Sequence, residues 1–129
     1  MAETLIRSAP RHTERAVGGT TLLELRGEID ILTAAPLGAR LDDLTAVVLP
    51  DLVVDLRAVS FIDCAGLGML CRARNRVMEL HGRLRLVTDS NQFLRILHGA
   101  GLAGVFEMSD HLPEALAAVP GGVLTAAVG

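Results

Sequence analysis

Aromatic residues are almost absent from this chain of 129 residues, which has three Phe and neither Trp nor Tyr. Proteins that bind single-stranded nucleic acid stack bases on such rings, and this chain offers no platform of that kind. Basic residues are not in excess either, because the net charge is −3 and the pI is mildly acidic. Binding to nucleic acid or to anionic lipid normally requires a basic surface, so we expect neither as a partner.

Long apolar runs and cysteine pairs are missing as well. The chain has no run of about 18 apolar residues that could cross a membrane. Residues 1–13 contain Arg7 and Arg11, but the apolar block that follows such residues in a secretory signal is missing. We therefore expect a cytoplasmic protein. Cys64 and Cys71 lie seven positions apart on one predicted helix, about 10 Å along its axis, which is too far for a disulfide.

What the chain does have is the composition of one packed domain, since half of its residues are apolar and 21% are charged. Its four histidines, His12, His81, His98 and His111, fall in separate predicted loops or at helix ends, without the close His, Cys and Glu spacing of a zinc site. We interpret all four as surface residues. Neither a metal nor a cofactor is expected.

The first third of the chain predicts two strands and a helix. Residues 21–31 alternate apolar and polar, as a half-buried strand does, and a short strand near residues 15–17 pairs with it through the turn at Gly18 and Gly19. Leucines at helical spacing predict a helix over residues 34–44, which either Asp30 or Thr33 caps.

The rest of the chain alternates strands with helices. The apolar, β-branched run 52–56 predicts a central strand, followed by a helix from about residue 65 to residue 80. Further elements are a strand over 84–87, a short helix over 91–101, a strand over 105–108 and a last helix from Ser109 or Asp110 through residue 119. This order predicts an α/β fold with a mainly parallel sheet under helical cover.

Cys64 falls between a strand and a helix, where unpaired backbone N–H groups favour an anion and make a thiol reactive. The negative charge of the adjacent Asp63 opposes that effect. The residues alone leave two interpretations open, a functional thiol or a small structural residue. Gly66 and Gly68 lack the rest of a phosphate-binding loop and indicate backbone packing at a helix start.

The segment from residue 55 to residue 70 is Asp55-Leu-Arg-Ala-Val-Ser-Phe-Ile-Asp-Cys-Ala-Gly-Leu-Gly-Met-Leu. It closely resembles the central motif of STAS domains, in particular the bacterial anti-sigma factor antagonists. Further matching segments are Gly27-Glu28-Ile29-Asp30, Gly82-Arg-Leu-Arg-Leu-Val, Phe93-Leu-Arg-Ile-Leu and Gly101-Leu102. The resemblance covers a STAS domain over residues 13–119, which follows an N-terminal extension (1–12). Residues 120–129 are small residues and Gly, and we expect them to form a flexible C-terminal tail.

This resemblance implies a single STAS-type domain, with a mixed sheet of four or five strands flanked by about four helices. It also implies a partner, an anti-sigma factor that is usually a serine kinase of the histidine-kinase-like ATPase type, whose capture frees a sigma factor. In the family, phosphorylation of the serine in Asp-Ser-x-Gly breaks the complex. Here Cys64 occupies the position of that serine. The neighbouring serine, Ser60, lies before the motif.

By matching position, the resemblance places partner binding at Asp30, Asp63, Cys64, Ala65, Gly66 and Gly68. We expect a non-enzymatic antagonist, monomeric or homodimeric, that docks without control by phosphorylation, because a thiol is a poor substitute for the hydroxyl. One alternative is an antagonist switched by oxidation of Cys64. Another is a STAS subunit of a larger signalling or lipid-transport assembly, and an enzyme is disfavoured because no nucleophile and base pair can be nominated.

Overall fold

Six strands form one sheet in the part of the chain that the structure, a computed structural model, describes, namely residues 3–112 and residue 116. Their order in the sheet is their order in the chain. The strands are β1 (Glu3–Ala9), β2 (His12–Val17), β3 (Thr20–Ile29), β4 (Asp51–Ile62), β5 (Arg83–Val87) and β6 (Glu107–Ser109). The helices within the same residues are α1 (Ile31–Thr45), α2 (Cys64–Glu79) and α3 (Asn91–Gly99).

The sheet has an antiparallel and a parallel half. Strands β1, β2 and β3 pair antiparallel, whereas β3 to β6 pair parallel and are connected by α1, α2 and α3 in turn. Crossovers of one hand between sequential strands place their helices on the same face. Most of the core lies between that face and the helices. The prediction of an α/β fold with a mixed, mainly parallel sheet is confirmed.

The number of elements differs slightly from the expectation. The sheet has six strands instead of four or five, because the predicted N-terminal extension contains β1 and the first residue of β2. The predicted fourth helix falls mostly outside the described residues, of which Leu112 and Leu116 are helical. Both pack on the sheet face opposite to the three helices, beside Val17, Leu22, Val53 and Val87. The predicted C-terminal tail, residues 120–129, also lies outside the described residues.

Strand β4 is much longer than the predicted run 52–56. Its pairing with β5 stops at Asp55, where Val87 ends β5, but its pairing with β3 continues to Ile62 across two register shifts. Beyond Asp55 the strand therefore has one neighbour, and several side chains there are exposed. The sequence loses its continuous apolar pattern at this point, although the strand goes on.

His12 corrects the expectation that all four histidines are surface residues. It is only 8% exposed, and its Nε2 lies 3.0 Å from Oε2 of Glu14, which is fully buried. Both side chains face α1, from which Arg40 donates two hydrogen bonds to Glu14, of 2.7 and 2.8 Å. β2 begins at His12 and not near residue 15. His12, which was predicted to lie in a loop, therefore belongs to a strand and lies under α1. The other three histidines are exposed, as expected.

Candidate docking site at the starts of helices α1 and α2

The two long helices begin side by side because the two strands before them are adjacent and parallel. Ile29 ends β3, Ile62 ends β4, and these residues pair in the sheet. The residue after each strand is an aspartate that caps the next helix, Asp30 for α1 and Asp63 for α2. The backbone N–H of Asp63 donates to the carbonyl oxygen of Ile29 at 3.2 Å. The fold thus brings together two motif segments that are more than thirty residues apart in the sequence.

Asp30 is the N-cap of α1, which settles the choice left open between Asp30 and Thr33. Its carboxylate accepts hydrogen bonds from the backbone N–H groups of Leu32 and Thr33, at 3.0 and 3.2 Å. The hydroxyl oxygen of Thr33 in turn accepts from the backbone N–H of Asp30 at 2.9 Å. This reciprocal capping box fixes the first turn of α1.

Asp63 caps α2 in the same way, with its carboxylate accepting from the backbone N–H of Gly66 at 3.1 Å. Cys64 is the first residue of the helix, one position earlier than predicted, and it is exposed and not in a disulfide. A group on the Cys64 side chain can therefore meet solvent or a partner, next to a carboxylate that already occupies the helix start.

The other residues assigned to the site by sequence are not equally accessible. Ala65 is half-buried and Gly68 is exposed, with open space where a Cβ would stand. Gly66 is buried, and a Cβ on it would lie 2.5 Å from Cγ1 of Ile62 and 2.9 Å from the carbonyl oxygen of Ile29. Gly66 thus allows α2 to approach the sheet of its own domain, while Gly68 leaves room on the outer surface.

A shallow groove runs between α1 and α2 from this end of the domain. Ile31 and Ala65 stand at its start, and its lining includes the small residues Ala34, Ala35, Gly38 and Gly68. At its far end Arg72 donates to Asp42, with Nε 3.0 Å from Oδ1, which holds the pKa of that carboxyl below its usual range.

Ile31 and Leu32 were not predicted as part of the site, and they expose 73% and 80% of their surface in the first turn of α1. A signal for them exists in the sequence. The buried residues of α1 are Ala34, Leu37, Leu41 and Thr45, one helical stripe; Leu32 lies opposite this stripe, and Ile31 lies at its edge. A large apolar residue opposite the buried stripe, directly after a cap, indicates an exposed apolar surface.

No three His, Cys, Asp or Glu side chains within residues 3–112 and 116 are arranged to hold a metal ion. Residues 12–115 match the family described as STAS domain. The chain belongs to the STAS domain family. The sequence had indicated this family through the segment around Asp63 and Cys64, and the match confirms it.

Two proteins similar to this STAS domain are named as anti-sigma factor antagonists. The anti-sigma-F factor antagonist RsfB of Mycobacterium tuberculosis is 32% identical over 104 residues, which are 81% of this chain and 84% of RsfB. The crystal structure of an anti-sigma factor antagonist from Mycobacterium paratuberculosis superimposes with a TM-score of 0.74 at 28% identity, covering 92% of this chain and 94% of that one.

The phosphorylated form of SpoIIAA, a Bacillus cell fate determinant, is a more distant structural match. It has a TM-score of 0.60 at 21% identity and covers 89% of this chain and 96% of its own. Likeness at this identity shows the shared fold alone. Among the described residues of this STAS domain, no helix is long and apolar enough to span a membrane.

Proposed function

We propose that this STAS domain is an anti-sigma factor antagonist that acts in the cytoplasm. It binds an anti-sigma factor of the serine kinase type, a histidine-kinase-like ATPase, and thereby releases a sigma factor. The observation that carries the proposal is the exposed Cys64 at the start of α2, beside the cap Asp63 and at the position of the phosphorylated serine of the family motif. The naming of RsfB as an anti-sigma-F factor antagonist supports it.

The docking site consists of Asp30, Asp63, Cys64, Ala65, Gly66 and Gly68. Gly66 is buried beneath the surface of this site and contributes by allowing α2 to pack closely against the sheet. A phosphate at residue 64 would add a charge of about −2 next to Asp63. On binding, that charge would have to be desolvated beside a carboxylate, which opposes docking. A thiol offers no good acceptor for the phosphate, so docking stays constitutive.

The protein acts by binding and not by catalysis, without a metal or a cofactor, as a monomer or a homodimer. Neither nucleic acid nor a membrane is its partner. Ser60 is exposed in β4 but precedes both the cap and the helix, so a phosphate there would not occupy the helix start.

Capture from the native cytosol tests both the class and the site. We expect wild-type protein to retain an ATPase-type anti-sigma factor in the presence or absence of ATP, and a Cys64→Glu variant to lose it, because the added carboxylate stands beside Asp63. Transfer of phosphate to Cys64 or Ser60 by that kinase would contradict the phosphorylation-independent mechanism. Equal retention of the anti-sigma factor by the wild-type protein and the Cys64→Glu variant would contradict the assignment of the docking site to the start of α2.

Oxidation is a second candidate for control of the same surface, favoured by the exposure of the free Cys64 thiol. Peroxide would convert the thiol to a sulfenic acid and would itself be reduced to water. If oxidation controls docking, peroxide lowers the affinity of the wild-type protein and leaves a Cys64→Ser variant unchanged. Unchanged wild-type affinity after peroxide treatment would exclude this control.

A further inference from the structure

Two aliphatic side chains stand in water at the start of α1. Ile31 and Leu32 are 73% and 80% exposed, although the core of the domain is closed beneath them. Adjacent apolar groups of this size contribute favourable free energy when a partner removes them from water. Contiguous exposed apolar surface on a small domain marks a site of interaction more often than a random surface residue does.

The capping box holds these two residues in place. Asp30 and Thr33, which precede and follow the pair in the sequence, are hydrogen-bonded to each other, and the Asp30 carboxylate also accepts a hydrogen bond from the backbone N–H of Leu32. A side chain on a fixed helical turn loses little backbone freedom on binding, so more of the burial free energy appears as affinity.

Ile31 connects this apolar pair to the docking site of the proposed function. Ile31 and Ala65 line the same groove, and Ala65 directly follows Cys64. A partner that contacts the start of α2 would therefore also cover the start of α1.

Carboxylates are the only charged side chains in the two segments that carry the starts of α1 and α2. Residues 28–39 and 58–71 include none of the chain's arginines, and the chain has no lysine; the arginines nearby are Arg11, against Gly27, and Arg72, which is paired with Asp42 at the far end of the groove. The two segments do include three carboxylates, Glu28, Asp30 and Asp63, of which Glu28 is exposed. Opposite charges across an interface raise the rate of association and the specificity of docking.

We propose that Ile31 and Leu32 are the apolar anchor of docking, and that they enter an apolar socket on the anti-sigma factor bordered by arginine or lysine. This inference rests on the proposed function. It adds two binding residues and the surface chemistry of the partner to the positions that the family motif marks.

The test uses the full chain and purified anti-sigma factors, namely the kinase-type proteins recovered in the capture experiment and the anti-sigma-F factor of Mycobacterium tuberculosis. We expect Ile31→Ser and Leu32→Ser each to weaken binding by about tenfold or more, as hot-spot truncations do. Glu28→Lys should also weaken it, and wild-type affinity should fall as NaCl rises from about 50 to about 500 mM, because salt screens the attraction.

Val48→Ser is the matched control. Val48 is 88% exposed in the turn that follows the opposite end of α1, and its replacement should leave affinity unchanged. Circular dichroism should show the same fold and thermal midpoint for all variants, because none of these side chains is buried. If Ile31→Ser and Leu32→Ser both bind with wild-type affinity, or if salt does not weaken binding, the inference is wrong while the proposed function stands. If the wild-type protein binds none of the anti-sigma factors, the proposed function fails, and the inference fails with it.

Discussion

Cys64 differs from serine by sulfur in place of oxygen, and this exchange removes a good phosphate acceptor while leaving the backbone of the helix start unchanged. The other positions of Asp63-Cys64-Ala65-Gly66 agree with the Asp-Ser-x-Gly motif that the resemblance indicated. Asp63 caps the helix, Cys64 is exposed, and Gly66 lets α2 pack against the sheet. The acceptor atom of residue 64 is therefore the one difference between this segment and the Asp-Ser-x-Gly motif.

A Cys64→Ser variant should gain phosphorylation. We expect the kinase-type anti-sigma factor to transfer phosphate from ATP to Ser at position 64, because the hydroxyl would stand in the position of the family's acceptor. Mass spectrometry of the intact protein would show the added phosphate, and binding to the anti-sigma factor should then become reversible by ATP. The wild-type protein is the control, and an unmodified variant would show that the kinase also requires residues outside this motif.

Two glycines in the same helix turn should respond to alanine in opposite ways. Gly66→Ala should destabilise the domain by about 1–3 kcal/mol, because its Cβ would meet Ile62 and the carbonyl oxygen of Ile29. Gly68→Ala should stabilise it by up to about 1 kcal/mol, since alanine favours a helix interior and nothing lies within 4 Å of its Cβ position. Urea unfolding measures both, and a stable Gly66→Ala variant would contradict the tight packing of α2.

At the level of elements, α1 is joined to the antiparallel half of the sheet by the contact of Arg40 with Glu14. The hydrogen bonds from Arg40 hold the pKa of the Glu14 carboxyl below its ordinary value of 4.5, against the opposing effect of burial. A carboxyl with a depressed pKa in the folded state stabilises the fold above its unfolded pKa. That stabilisation is lost as pH falls through the folded pKa.

Glu14→Gln should lower the free energy of unfolding at neutral pH by about 2 kcal/mol, less than for a fully buried pair because Arg40 is partly exposed. The difference from wild type should narrow as pH falls below about 4.5, because the Glu14 carboxyl is then protonated in the unfolded chain before it is protonated in the folded one. Urea titrations followed by circular dichroism measure this, since the chain has no Trp or Tyr for fluorescence.

Asp43→Asn is the control for that measurement. Asp43 lies 3.8 Å from Arg40 with 74% of its side chain exposed, so its loss should change stability by no more than a few tenths of a kcal/mol. Wild-type and Glu14→Gln curves that stay parallel over the whole pH range would show that the Glu14 contact does not stabilise the fold.

Considered as a whole molecule, the domain has a sheet open at β1 and β6, and β1 is exposed along most of its length. The bulge between Leu5 and Arg7 breaks its regular pairing with β2, and such bulges hinder edge-to-edge association of sheets. Large assemblies built through this edge are therefore disfavoured.

Light scattering should accordingly give a mass of 13.6 kDa or twice that value, as expected for a monomer or a homodimer. The measurement is made on the purified protein at several concentrations, so that a weak dimer appears as a rising mass. A particle many times larger would favour the alternative of a STAS subunit in a signalling or lipid-transport assembly.

Local patterns predicted much of this protein. Alternation marked β3, leucine spacing marked α1, and the apolar run marked the centre of β4, because in each case the buried side of one element repeats at the period of that element. Asp30 was one of the two predicted caps of α1, because a helix cap depends on residues a few positions apart. The family resemblance, and not a local pattern, placed Asp30 and Asp63 at the site. The acidic, aromatic-poor composition likewise directed the functional prediction away from nucleic acid.

Tertiary structure alone decided which residues meet. His12 and Glu14 are buried because α1 crosses over β2 and supplies Arg40, and no local pattern reports a neighbour twenty-six residues away. The far half of β4 is a strand because β3 pairs with it after β5 has ended. Ile31 and Ala65 line one groove because parallel pairing aligns the ends of β3 and β4, so that helices distant in sequence begin at one place. The sequence by itself determines the elements and their caps through short-range contacts, whereas long-range pairing determines the surface they form together.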